Sequence, residues 1–134
     1  MSSDLDQLVR QLRDPDVEQR REAAELLAQR GEAIGAHATA MLAALSDEDE
    51  ATREWVTSAL EDAGPPAPGD AAALQQMVAR DELDSAYWAA TLLGRLGADA
   101  DVAWETLQHS AARSAHAGVR KRAAWALDQI RRSG

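Results

Sequence analysis

The 134-residue chain contains no cysteine, which removes disulfides, thiolate metal centres and a cysteine nucleophile at once. Aromatic residues make up only 4% and phenylalanine is absent, so an apolar content of 46% has to be carried by Ala, Leu and Val. Ala and Leu favour helices over strands. No run of 18 apolar residues could span a bilayer, and the opening "MSSDLDQLVRQLRD" carries charges where a secretory leader has its apolar centre. The expectation is a cytoplasmic protein with no membrane partner. Positive charge is scarce too: 14 cations face 23 acids, a net charge of −9 and a pI near 4.7. Such a balance argues against binding a phosphate backbone, which needs a cationic surface, and favours solubility and basic partners. Only Lys121 among the cations is not arginine, a bias typical of GC-rich bacterial genes.

Catalytic signatures are equally thin. His37, His109 and His116 fall in separate segments without a His-Glu-x-x-His pattern, and no glycine-rich phosphate loop is present. "GRLG" at 94–97 reads as a helix C-cap. The serines have no histidine in register. Asp47 and Asp49 sit where capping of a helix accounts for them. The expected inventory is therefore no catalytic residue, no metal, no cofactor and no enzyme activity.

What the chain does contain is a repeat. Gly31, Gly64 and Gly97 are spaced by 33, each at the close of a helix-like segment. Eight positions before them stand Ala23, Val56 and Ala89; seven before, Ala24, Thr57 and Ala90; four before, Leu27, Leu60 and Leu93. These are inward-facing positions at helical spacing. One extra residue brings Val119, Ala123, Ala124, Leu127 and Ile130 into the frame as the buried register of a fourth copy. Arg20, Arg53 and Arg120 share another position, at which the third copy has Ala86. Asp16 and Asp49 precede two of these arginines by four residues, the spacing of an ion pair worth roughly 0.2–0.5 kcal/mol on one helix face.

Shorter amphipathic stretches at Leu5–Leu12, Ile34–Leu45, Ala71–Val78 and Val102–Ala111 alternate with these segments, so each copy is expected to be two antiparallel helices. "RDPD" at 13–16 and "SDED" at 46–49 supply N-caps, with Pro15 suited to a first helical turn. "GPPAPG" at 64–69 breaks any helix between the second and third copies.

"DPDVEQRREAAELLAQRG" at 14–31 resembles the consensus of short bacterial HEAT-like repeats: an Asp-Pro turn, Arg-Arg, Ala-Ala, Leu and a closing Gly. Partial matches follow in "DEDEATREWVTSALEDAG" at 47–64, "AYWAATLLGRLG" at 86–97 and "VRKRAAWALDQI" at 119–130. Ankyrin and tetratricopeptide repeats have similar periods, but the "TPLH" turn of the first and the Trp, Leu-Gly, Tyr pattern of the second are missing. The resemblance implies an all-α fold, an α-solenoid of about four antiparallel helix pairs in a single domain over 1–134, with repeats near 4–31, 32–64, 65–97 and 98–131. One helix pair cannot bury its own apolar face, so the copies must stack.

In such an array the second helices line a concave surface. The frame nominates Arg21 and Glu25, Glu54 and Ser58, Tyr87 and Thr91, Lys121 and Trp125 as solvent-facing, with Glu22, Trp55, Trp88 and Arg122 at the edge. Exposed aromatic rings and arginines are the usual anchors of interfaces. Trp55, Trp88 and Trp125 are otherwise fillers of gaps in an Ala-rich core, as Trp104 is expected to be. Seven acids against Arg53 in 47–62, and six cations against Asp128 from Arg113 onward, give the chain opposite local charges. The resemblance and the missing chemistry point to a non-catalytic protein-binding scaffold; the uncapped last copy also leaves room for end-to-end self-association. Two other roles are implied by HEAT-like relatives: an accessory subunit of a modifying enzyme, as in phycobilin lyases, and nucleic-acid binding, as in alkylpurine DNA glycosylases. The first needs an apolar pocket between helices. The second is disfavoured because Glu22, Glu25 and Glu54 interrupt the arginines. HEAT-like di-iron hydroxylases use His-Glu pairs, and none occurs here.

Overall fold

The computed structural model describes residues 4–134, so the first three residues of the expected domain lie outside it. Every regular element among the described residues is helical. The chain divides into two compact units, one ending at Gly64 and the other running from Pro65 to Gly134. The division falls inside "GPPAPG", where prolines remove backbone donors and forbid a continuous helix.

The first unit contains α1 (Asp4–Gln11), α2 (Val17–Ala28), α3 (Ala38–Met41) and α4 (Glu50–Asp62). Helix α2 packs on α1 and α4, burying Ala23, Ala24 and Leu27 against Val56, Ala59 and Leu60. The expected helix over Ile34–Leu45 is not continuous. Only four of its residues are α-helical, flanked by 3-10 turns at Gly31–His37 and Leu42–Ser46. It nevertheless buries Ile34, Ala38, Met41, Leu42 and Leu45, so the apolar spacing positions the side chains without sustaining one helix. Neither Arg30 nor His37 supplies a side-chain cap at the starts of these pieces.

The second unit contains α5 (Ala71–Arg80), α6 (Leu83–Leu96), α7 (Trp104–Arg113) and α8 (Ala117–Ser133), with a 3-10 segment over Gly97–Ala103. Helix α6 lies between α5 and α8, and α8 also packs on α7. Burial on two sides explains why α6 hides Ala86, Ala89, Ala90, Thr91, Leu92, Leu93 and Gly94. Helix α7 begins later than Val102, which stands exposed on the 3-10 segment.

The last helix corrects the expected register. Val119, Ala123 and Ile130 are buried as expected, but Ala126 completes the set; Ala124 is exposed and Leu127 half-buried. Among the described residues α8 has helices packed on only one side, so its outward stripe stays in solvent and carries Lys121 and Arg131. Asp128 on that helix pairs with Arg131 at 2.9 Å and Arg132 at 2.8 Å.

The recurrent arginine is a turn lock rather than an intrahelical ion-pair partner. Arg20, Arg53 and Arg120 donate from Nη1 to the carbonyl oxygens of Asp14, Asp47 and Ser114, at 2.9, 2.6 and 2.7 Å. At the same three turns the backbone N–H of Asp16, Asp49 and His116 donates to the Asp14, Asp47 and Ser114 side chains. Asp16 and Asp49 are N-caps in extended backbone, accepting from the N–H of Glu18 and Thr52. Their carboxylates thus serve orphan helix donors and do not reach one turn forward to the arginine. Pro15 stands before the cap, outside the helix. The copy that has Ala86 in the arginine position solves its turn differently. Asp81 adopts left-handed backbone at φ 55°, and its carboxylate accepts from the Ser114 hydroxyl and the Ala115 N–H of the next turn.

The period-33 glycines also differ. Gly31 and Gly97 hold φ of 59° and 71°, where a side chain would be strained. Gly64 has no positive φ; it precedes Pro65, which favours extended backbone, and its N–H donates to the Glu32 carbonyl at 3.2 Å.

Candidate functional site

The nominated residues of the first unit lie on α2 and α4. Glu25 and Glu54 are exposed, Ser58 half-buried, and Trp55 is 39% exposed, so this tryptophan is not a core filler. Arg21 is exposed but already engaged. Its guanidinium forms a fork on Asp49, with Nε to Oδ2 at 2.9 Å and Nη2 to Oδ1 at 2.7 Å, and reaches Glu18 at 3.3 Å. The Asp49 carboxylate sits well below the usual carboxylate range, held there first by Arg21 and then by the Thr52 hydroxyl and N–H. In the same unit Arg20 pairs with Asp47 at 2.9 Å.

The second unit arranges its cations against rings. Arg122 on α8 lies with its guanidinium carbon 4.8 Å from the Tyr87 ring centroid and 4.8 Å from that of Trp125. Its Nη2 donates to the Tyr87 hydroxyl at 2.7 Å. Tyr87 meets Trp88 edge to face with centroids 5.4 Å apart, and Arg95 lies 5.9 Å over Trp88. Five side chains of α6 and α8 thus form one continuous series, Trp125, Arg122, Tyr87, Trp88, Arg95. Such contacts stabilise by about 0.5–1 kcal/mol each at exposed sites and hold the guanidinium in place.

Gly94 makes the series feasible. A Cβ at this position would stand 2.3 Å from the Trp125 ring, so the indole lies directly on the backbone of α6. Gly94 is therefore a seat for Trp125 inside the helix, and only Gly97 of "GRLG" acts as the cap. Trp125 and Trp88 are both half-buried, and each has a guanidinium over its ring.

Thr91 does not belong to this surface. It is 3% exposed and its hydroxyl donates to the Tyr87 carbonyl at 2.8 Å, one turn back on the same helix. The repeat frame treats all second helices alike, whereas α6 is flanked on both sides and loses that position to the interior. Lys121 is exposed and adjoins Arg122. The structure therefore joins Tyr87, Trp88, Arg122 and Trp125 directly, adds Arg95, which the sequence reading did not nominate, and removes Thr91. Arg95 falls seven residues after Trp88, two helical turns on one face, and that spacing was the available signal.

A separate groove of about 410 Å³ opens between α5 and α7, lined by Val78, Ala79, Glu105, Thr106, His109 and Ser110, with Asp81, Arg113 and Ser114 at its rim. Thr106 accepts from Gln75 at 2.9 Å, while the buried Ser110 hydroxyl has no partner. Asp81 is held below its ordinary pKa, first by the Ser114 hydroxyl and then by the Ala115 N–H. No local sequence pattern marks this groove, because its walls come from helices separated by more than twenty residues.

A family model of HEAT repeats matches residues 5–94. No curated protein matches the chain at a significant level. The crystal structure of an engineered protein is similar over 96% of this chain, with a TM-score of 0.63 at 22% identity. The chain spans 63% of the length of that protein, and the likeness concerns the fold alone. With the helices described above, the fold class is all-α, of the α-solenoid, helical-repeat type.

Proposed function

We propose, from the premise that this chain belongs to the HEAT-repeat family, that it is a non-catalytic binding module whose second helices dock a partner protein. HEAT repeats generally mediate protein interactions. The observation that carries the reading is the ring-and-guanidinium series on α6 and α8: Trp, Tyr and Arg are the residue types that dominate binding energy, and here packing already holds them in position. Considered by itself, the first unit offers the exposed Trp55, Glu25 and Glu54 as a further candidate surface, with Arg21 engaged in holding Asp49. Among the described residues no helix is long and apolar enough to cross a membrane.

Site-specific photo-crosslinking tests this assignment. A photoreactive residue in place of Lys121 should yield discrete protein adducts in cells, and one in place of the exposed Gln108 on α7 should not. Adducts confined to position 108 would move the docking surface to the first helices.

The groove between α5 and α7 supports a second reading, an accessory subunit that holds a small molecule for a modifying enzyme. Its volume is that of a small-molecule site, and its lining combines the apolar Val78 with the polar Thr106, His109 and Ser110. A ligand that raises the melting temperature of the native chain but not of Ser110→Leu would favour this role over docking.

A further inference from the structure

Resting on the docking role just described, we infer that the α6–α8 surface recognises an acidic segment of its partner, with Arg122 taking a Glu or Asp carboxylate. Arg122 is half-buried, lies against two rings and spends one N–H on the Tyr87 hydroxyl. A guanidinium has five N–H donors, and none of the carboxylates of the described residues pairs with this one. A partly desolvated, immobilised cation without a counter-charge has an unmet requirement, and a carboxylate meets it with two parallel hydrogen bonds.

The chain itself displays the missing complex. On α2, Arg21 receives the Asp49 carboxylate in a two-point fork of 2.9 and 2.7 Å. Arg122 is held by two rings and the Tyr87 hydroxyl, so no carboxylate is needed to position it. The exposed Lys121 beside it adds attraction, and the solvent-accessible parts of the half-buried Trp125 and Trp88 receive an apolar residue next to the acid.

A polyanion fits less well. The unit from Pro65 onward carries eight acids and eight cations, and the other unit carries fifteen acids against six cations. Neither supplies the cationic field that nucleic acid requires, whereas one placed guanidinium suffices for one carboxylate.

The test uses the full chain and three end-capped, fluorescently labelled peptides of alternating Leu with Glu, Gln or Lys, titrated by anisotropy. The Glu peptide should bind about tenfold or more tighter than the Gln peptide, and the Lys peptide more weakly than either. Arg122→Gln, which keeps the side-chain length, should abolish the preference for Glu. Arg122→Lys should restore only part of it, and Arg131→Gln should leave it intact. Circular dichroism spectra that match the parent show that each variant is folded. Equal binding of the Glu and Gln peptides, no binding of the Glu peptide, or a preference that survives Arg122→Gln would overturn the inference. So would an Arg122-dependent dimer in sedimentation, or displacement of the peptide by duplex DNA. Crosslinks at position 121 without any preference for Glu would leave the docking role standing and remove its acidic partner; loss of both would remove both.

Discussion

Arg21 in the first unit and Arg122 in the second are held in different ways. In the first, Arg20 and Arg21 meet Asp47 and Asp49, and the cations are neutralised by carboxylates of the following turn. In the second, Arg122 and Arg95 meet aromatic rings, and the carboxylate at the corresponding turn, Asp81, is occupied by a hydroxyl and a backbone N–H instead. Charge follows the same division: the first unit holds the entire net charge of −9, while acids and cations balance in the second. The same repeat frame thus pairs Arg20 and Arg21 with carboxylates in one half and leaves Arg122 ring-supported, without a carboxylate of the described residues, in the other.

The largest test of this contrast is one in which the halves should behave alike. Leu60 and Leu93 share one repeat position and are both fully buried. Leu60→Ala and Leu93→Ala should each cost about 2–5 kcal/mol, measured by urea unfolding. A loss under about 1 kcal/mol at either position would show that its core is not packed as the frame requires.

Gly94→Ala separates the halves. Its Cβ would collide with Trp125 at 2.3 Å, so an overpacking cost of about 1–3 kcal/mol is expected together with a changed near-ultraviolet tryptophan signal. The same exchange made in Trp125→Ala should instead stabilise, by up to about 1 kcal/mol of helix propensity. Additive effects of the two substitutions would mean that the indole does not rest on α6.

A smaller loss, about 1 kcal/mol, is expected for Arg122→Gln, which removes both cation–ring contacts and weakens the bond to Tyr87. Because no carboxylate is involved, this loss should hardly change with salt. Salt sensitivity comparable to that of Arg21→Gln would contradict the contrast between the units.

The pH dependence supplies the finest comparison. Asp49 and Asp81 both have folded pKa values below the unfolded carboxylate near about 4, so each contributes stability above that pH and loses it as pH falls through the folded value. Arg21→Gln should therefore reduce stability at neutral pH and converge with the parent in acid. Ser114→Ala should do the same through Asp81, without the dependence on salt. A difference that grows as pH falls would reverse the sign and exclude these groups.

Much of the fold was legible because burial repeats along the chain. Ala23, Ala24, Leu27, Val56, Leu60, Ala89, Ala90 and Leu93 are all in the core, as their spacing from the glycines predicts. The errors occur where neighbours differ between copies. Ala124 is exposed because no helix of the described residues packs on the outer side of α8, and Thr91 is buried because α6 is covered on both sides. Asp16 and Asp49 have the spacing of ion-pair partners, but their backbone is extended and their oxygens face the helix start.

The sequence by itself determined the helical class, the small-residue core and the recurrent turn chemistry, because each depends on residues within about two helical turns of one another, and the period, because that local pattern recurs every 33 residues. Tertiary structure decided which arginine is satisfied. Arg122 meets Tyr87 across 35 positions and Trp125 lies on Gly94 across 31, distances at which neither periodicity nor composition reports contact. Whether a guanidinium finds a carboxylate or a ring depends on which helix packs beside it, and in this molecule that choice separates the structural arginines from the candidate binding one.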